Sequence, residues 1–144
     1  MDNHVFSDYK FVVALNEKCD VGVILNAASH ACLGLIAQAS EEDRKKMSFI
    51  SFTDANGNVH PSISGLSLIV LKGKNGELRK LRSQVLEQNF LCVDFIHTMT
   101  GDTYKEQLEK TAATPEEELL YYGVAVFGEK LKLDPLTKRL SLWR

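Results

Sequence analysis

The chain has no excess of either charge, no paired cysteines and no long apolar span. Lys and Arg number 17 against 19 Asp and Glu, for a formal net charge of −2. That removes a global basic field that could recruit nucleic acid, so RNA binding would have to rest on a local patch. Cys19, Cys32 and Cys92 are odd in number and far apart, and no C-x-x-C occurs. Spacing therefore excludes a zinc ribbon or a thioredoxin-type motif. Three lone thiols fit a reducing compartment, and a cytoplasmic location is expected. Cys19, just ahead of a helix start, is the one whose thiol a helix N-terminus could activate. No uninterrupted apolar run reaches about 18 residues, so no transmembrane helix and no membrane partner are expected. The opening "MDNHVFSDYK" lacks the basic and apolar regions of a signal peptide. His4, His30, His60 and His97 show no ligand spacing such as H-x-x-x-H, so neither a metal nor a cofactor is expected. The phosphate loop G-x-x-x-x-G-K-S/T is missing too.

What is present is a core. Apolar residues make up 44% of 144, enough for one domain spanning residues 1–144. "YKFVVAL" (Tyr9 to Leu15) reads as a buried strand, and Asp20 as the cap of a helix that follows. Ser40 and Asp43 suggest a short second helix with a capping box. "SFISF" (Ser48 to Phe52) reads as a strand and Asn56-Gly57 as a hairpin turn, with Pro61 placing the returning strand at an edge. Asp54, Asn56 and Asn58 imitate the start of a calcium loop, but the twelfth position falls on Gly65. "LSLIVL" (Leu66 to Leu71) and "FLCVDFI" (Phe90 to Ile96) are apolar runs expected to be covered on both faces. Asp94 within the second needs a partner or water. Leu78, Leu81, Val85 and Leu86 recur at helical spacing, and Tyr104 to Lys110 also reads as helical. "TPEEE" reads as a helix start, with Thr114 as cap, Pro115 at the first position and Glu117 closing a box. "GVAVF" (Gly123 to Phe127) is a last buried strand, followed by a helical turn near Asp134 to Lys138. Alternating strands and helices predict a single-domain α/β fold. The form expected is a three-layer sandwich with a mixed, mostly parallel sheet and helices on both faces.

The stretch "CDVGVILNAASHACLGLIAQAS" (Cys19 to Ser40) is the most informative. At 100° per residue, Gly22, Asn26, Ser29 and His30 form one narrow stripe on a helix that is otherwise apolar. Such a helix is expected to be buried on several sides. A polar stripe on it either satisfies internal groups or lines a cavity.

The segment "KFVVALNEKCDVGVILNAASHACLGL" resembles the opening of the type-2 peptidyl-tRNA hydrolase family, in which a strand leads through a short loop to a helix bearing G-K-x-A-A-Q-x-x-H-A. The closing "GVAVFGEKLKLDPLTKRLSLW" is similar to that family's ending. The middle, "SLIVLKGKNGELRKLRSQVLEQNFLCVDFI", keeps the order strand, helix, strand. As a whole the chain more nearly resembles an uncharacterised bacterial branch of that fold, described as a domain of unknown function. The resemblance implies a mixed sheet of four or more strands with helices on both faces. It also puts Gly22 on the motif glycine and His30 on the motif histidine. The departures are specific: Val23 stands where the family has its functional lysine, and Ala27 where it has glutamine. Thr98 falls roughly at the catalytic aspartate, and Gly128-Glu129 replaces the closing G-P.

Two functions of different class follow. A diverged hydrolase would use His30 as base or water-orienting group, with Asn26, Ser29, His97 and Asp102 beside it and Gly22, Thr98 and Thr100 binding the ligand; histidine has the right pKa range. Alternatively, a non-catalytic module kept the pocket for a small molecule, a nucleotide or a protein. RNA is a third candidate ligand, through Lys72, Lys74, Arg79, Lys80 and Arg82. A homo-oligomer is left open, because a strand edge near Pro61 could pair.

Overall fold

The computed structural model describes residues 7–144; His4 and the start of the opening decapeptide lie outside that range. The described residues form seven strands: β1 (Tyr9–Asn16), β2 (Phe49–Thr53), β3 (Val59–Ser64), β4 (Leu68–Gly73), β5 (Leu91–Ile96), β6 (Tyr121–Glu129) and β7 (Ser141–Leu142). Five α-helices lie between them: α1 (Val21–Gln38), α2 (Glu41–Lys46), α3 (Asn75–Glu87), α4 (Tyr104–Ala112) and α5 (Lys130–Thr137). Five strands make one mixed sheet in the order β5-β6-β1-β4-β7, while β2 and β3 pair only with each other.

Side-chain alternation along β1 divides the core. Phe11, Val13 and Leu15 join Ile24, Ala31 and Leu35 of α1 on one face. Val12 and Ala14 join Leu78, Leu81 and Val85 of α3 and Leu133 of α5 on the other. Close approach of α1 to the sheet needs small residues: Ala27 and Ala31 are fully buried, and a Cβ on Gly34 would stand 3.3 Å from Val93 Cγ1.

The sheet is not mostly parallel. Only β1 and β4 run parallel; β6 is antiparallel to both β1 and β5, and β7 to β4. Continuous apolar runs report burial on two faces, and helices on both sides bury β1 and β6 whatever their direction.

Local expectations fare unevenly for identifiable reasons. The Ser40–Asp43 box forms in both directions. Asp20 occupies the cap position of α1, but its carboxylate makes no capping bond. The hairpin forms with a five-residue loop in place of a two-residue turn. Asp54 organises that loop, its Oδ1 accepting from the backbone N–H groups of Asn56 (2.9 Å) and Asn58 (3.0 Å), while Gly57 takes φ +85°. The helix expected from "TPEEE" shrinks to a 3-10 turn over Glu116–Glu118. Two residues further on the chain enters β6, and Thr114 turns back to donate to Lys110 O. The closing turn is longer than its spacing suggested: α5 runs from Lys130 to Thr137 and carries Pro135 inside it.

Helix α1 is not buried on several sides. It buries Ile24, Ala27, Ala31 and Leu35 and leaves Val21, Leu25 and Leu33 64%, 59% and 73% exposed. With 18 residues and a mean hydropathy of 1.5 it is long and apolar enough to cross a membrane by length and composition; here it lies along the sheet.

Candidate ligand-binding cleft

Strand β5 is an edge of the main sheet. The chain leaves it through a 3-10 turn at His97–Met99 and a polar loop, then folds back as α4. None of α4's residues is buried, and Tyr104 and Leu108 are largely exposed. It stands off the body, tethered by a 2.8 Å bond from the Thr111 hydroxyl to that of buried Thr98. Between α4, the end of β5 and the flank of α1 lies an open cleft of about 980 Å³, at the upper end of the range for small-molecule sites.

Four of the expected site residues line it: Asn26, His30, Thr100 and Asp102. The His30 ring lies against Phe95, centroids 5.4 Å apart and planes 37° from parallel. Neither its ring nor the side chains of Asn26 and Asp102 form a hydrogen bond to any described residue. Gly101 (φ +71°) and Asp102 (φ +44°) are both left-handed. This is common for glycine and tolerated by aspartate, and it turns the loop so that Asp102 stands at the rim. Gln107 Nε2 donates to Gly101 O, and Thr103 accepts from the Glu106 N–H at 3.2 Å, fixing the start of α4. Among the described lining residues there is no lysine or arginine.

The other four sit elsewhere. Ser29 donates to Leu25 O at 2.8 Å, within its own helix. His97 serves as a brace: its Nδ1 accepts from the Leu120 N–H at 3.0 Å and its own N–H donates to Leu120 O at 2.9 Å. Thr98 is fully buried. Gly22 is exposed, with nothing within 4 Å of the position a Cβ would take. Sequence reasoning missed Phe95, Tyr104, Gln107 and Leu108. The Thr103–Glu106 pairing marks where α4 begins, but no local pattern says that the helix folds back over β5.

The basic cluster is divided. Arg79 is held by Glu116 (3.1 Å) and by Leu119 O (2.7 Å), over the Tyr121 ring. Arg82 is held by Asp94, and Lys72 lies over Trp143. Burial and the neighbouring Asp20 raise the Cys19 pKa, burial raises that of Cys32, and burial followed by Asp94 pushes Cys92 up to about 12. At Cys19 both causes oppose the activation that a helix start could provide. Among the described residues no three His, Cys, Asp or Glu side chains gather to hold a metal ion.

These features define an α/β protein with an open, cation-free cleft beside an edge strand. Residues 9–144 match the family described as "Protein of unknown function (DUF2000)", and the chain belongs to that family. A similar solved structure is that of a protein of unknown function, Atu0240, from Agrobacterium tumefaciens strain C58. It shares 22% identity with a TM-score of 0.78, over 95% of this chain and 98% of that one. No curated protein matches the chain.

Proposed function

We propose that the cleft binds a small neutral or cationic molecule rich in hydroxyl, amide or amine groups. The observation that carries this is the convergence of Asn26, His30 and Asp102 on one cleft, each with its side-chain polar atoms unengaged by any described residue. Unpartnered polar groups at the rim of an apolar-floored site orient a ligand. The lack of a lining lysine or arginine selects against phosphates and carboxylates, which need a countercharge when taken out of water. Thr100 is already bonded to His97 O (2.6 Å) and offers only its remaining acceptor capacity. The test is a ligand screen by NMR, following the His30 ring resonances, with amines, amides, polyols and nucleotides as separate arms. Shifts confined to the first three and lost in His30→Ala support the proposal. Binding by nucleotides alone, or by none of the four arms, sinks it.

A diverged hydrolase on a peptidyl-tRNA hydrolase-like, three-layer fold is the second reading. It is favoured by the position of His30, free to act as a base, in the same cleft as Asp102. Against it, a catalytic base is ordinarily oriented by a third group, and His30 has only the face of Phe95. Equal ester turnover by wild type and His30→Ala would dismiss it. The proposal places this binding domain, residues 1–144, in the bacterial cytoplasm, where three unpaired thiols are compatible with the redox state.

A further inference from the structure

Beyond its root, the hairpin formed by β2 and β3 is covered by no other described element. It pairs with no other strand among the described residues, and every residue from Ser51 to Ile63 is exposed. Yet it carries Phe49, Phe52, Val59 and Ile63, which are 50%, 54%, 64% and 62% exposed. Ile50 faces Ile63 across the ladder, and Phe52 faces His60, so both faces of the arm present apolar groups. A two-stranded hairpin alone in water is marginal at best. This one extends about 16 Å from its base, five residues at roughly 3.3 Å each.

At the base of the arm lies a half-open apolar pocket of about 140 Å³, lined by Phe11, Val13, Cys32, Leu35 and Leu68 and by Phe49 at the arm's own root. A dry cavity of about 150 Å³ is the size that accepts a benzene ring. One chain therefore displays both an uncovered phenylalanine on an arm and a ring-sized hole beside that arm's root. We infer that the occupant is a second copy of this chain: two copies associate about a two-fold axis, each placing Phe52 in the other's cavity. Such an interface is self-complementary, as a two-fold requires.

The area agrees. A standard interface buries about 800 Å² per partner, of which roughly 56–65% is apolar, or about 450–520 Å². The two phenylalanines leave about 100 Å² each uncovered. Counting both faces of the arm, which the partner would clasp between its own arm and α1, Val59, Ile63, Leu68 (46% exposed) and Leu25 (59% exposed) bring the apolar total to on the order of 500 Å². Leu25 belongs to this surface because, at 100° per residue, it lies within 20° of Cys32 and Ile36. His30 and Asn26 point to the far flank of α1, so the interface and the cleft are independent. A membrane would also cover an apolar arm, but interfacial binding draws on lysine and arginine. Neither the stretch from Phe49 to Ser64 nor α1 contains one.

Sedimentation equilibrium at about 50 µM, well above the dissociation constant of a specific dimer, should give twice the monomer mass. Phe52→Glu should weaken association at least tenfold with an unchanged far-UV spectrum. A two-thiol cross-link covers the case in which the glutamate variant misfolds. Phe52→Cys in a Cys19→Ser, Cys92→Ser background should form a covalent dimer with Cys32 under diamide, and replacing Cys32 by Ser should prevent it. A monomeric wild type overturns the inference. So does a dimer unaffected by Phe52→Glu, or a monomer that instead co-sediments with phosphatidylglycerol vesicles.

Discussion

Arg82 Nε donates to Asp94 Oδ1 at 2.8 Å, joining α3 to the edge strand β5. This resolves the one acidic residue in an otherwise apolar strand: Asp94 faces the helix that covers its side of the sheet. The pair also stands behind the cleft, because Asp94 contributes to the cleft's wall. Fixing β5 at its exposed edge fixes the strand that carries Phe95 beneath His30.

Removing one partner should cost more than removing both. In Arg82→Met the Asp94 carboxylate stays one-fifth exposed without its countercharge. A charged hydrogen bond is worth about 1.5–3 kcal/mol, reduced here by solvent at the guanidinium, so the expected loss is about 1–2 kcal/mol. Asp94→Leu combined with Arg82→Met should recover part of it. Urea unfolding of the two single variants and the double variant measures the coupling; additive losses would mean that the pair contributes nothing.

Tyr121 gives the fold a signature at high pH. Its hydroxyl donates to Glu116 Oε2 at 2.7 Å. Burial, and then that bond, push its pKa up to about 12. The same bond, ahead of Arg79, holds the Glu116 carboxyl below its ordinary range. In the unfolded chain the phenol ionises near 10. Between the two values the folded state keeps a proton that the unfolded state has lost, so stability falls as pH rises. Tyr121's contribution is complete below about pH 10 and is lost between about pH 10 and about 12. Tyr121→Phe should be less stable than wild type at pH 8 and lose less on going to pH 11, read as the change in urea midpoint. Parallel pH profiles for the two proteins would contradict this assignment.

Much of this fold was legible because its elements announce themselves locally. β1 and β6 are dense apolar runs, the Ser40 box caps α2, and Asn56-Gly57 marks the hairpin. What stayed hidden depends on contacts distant in sequence. Asn16 and Asn75 look like ordinary loop residues. Yet Asn16 Nδ2 donates to Tyr121 O at 2.8 Å, and Asn75 Oδ1 accepts from the Tyr121 N–H at 2.7 Å. Together they hold the start of β6 against the ends of β1 and β4. Strand direction was hidden for a related reason, since burial on both faces leaves the same apolar run in either orientation. In the cleft, helical spacing grouped Asn26 and His30 correctly with each other. It also grouped Ser29 with them, but Ser29 lies outside the cleft's lining and its hydroxyl is spent on Leu25 O. His97 looked catalytic because its partner, Leu120, is 23 residues away.

The cysteines give a prediction that separates structural thiols from chemical ones. The thiolate is the reactive species, and burial raises the pKa of all three. Cys92 is the extreme case, at about 12: it faces the α3 side of the sheet, where Asp94 adds to the burial and Arg82 only partly opposes it. At pH 8 its thiolate fraction should be on the order of 10³-fold below that of a free cysteine with a pKa near 8.5. Single-cysteine variants labelled with Ellman's reagent should therefore show Cys92 silent in the native protein and reactive in urea. Cys19 and Cys32 should react more slowly than free thiol but faster than Cys92. If native Cys92 reacted within tenfold of the unfolded chain, its burial beneath α3 would be wrong. Fast labelling of Cys19 would instead restore it as a candidate nucleophile at the head of α1.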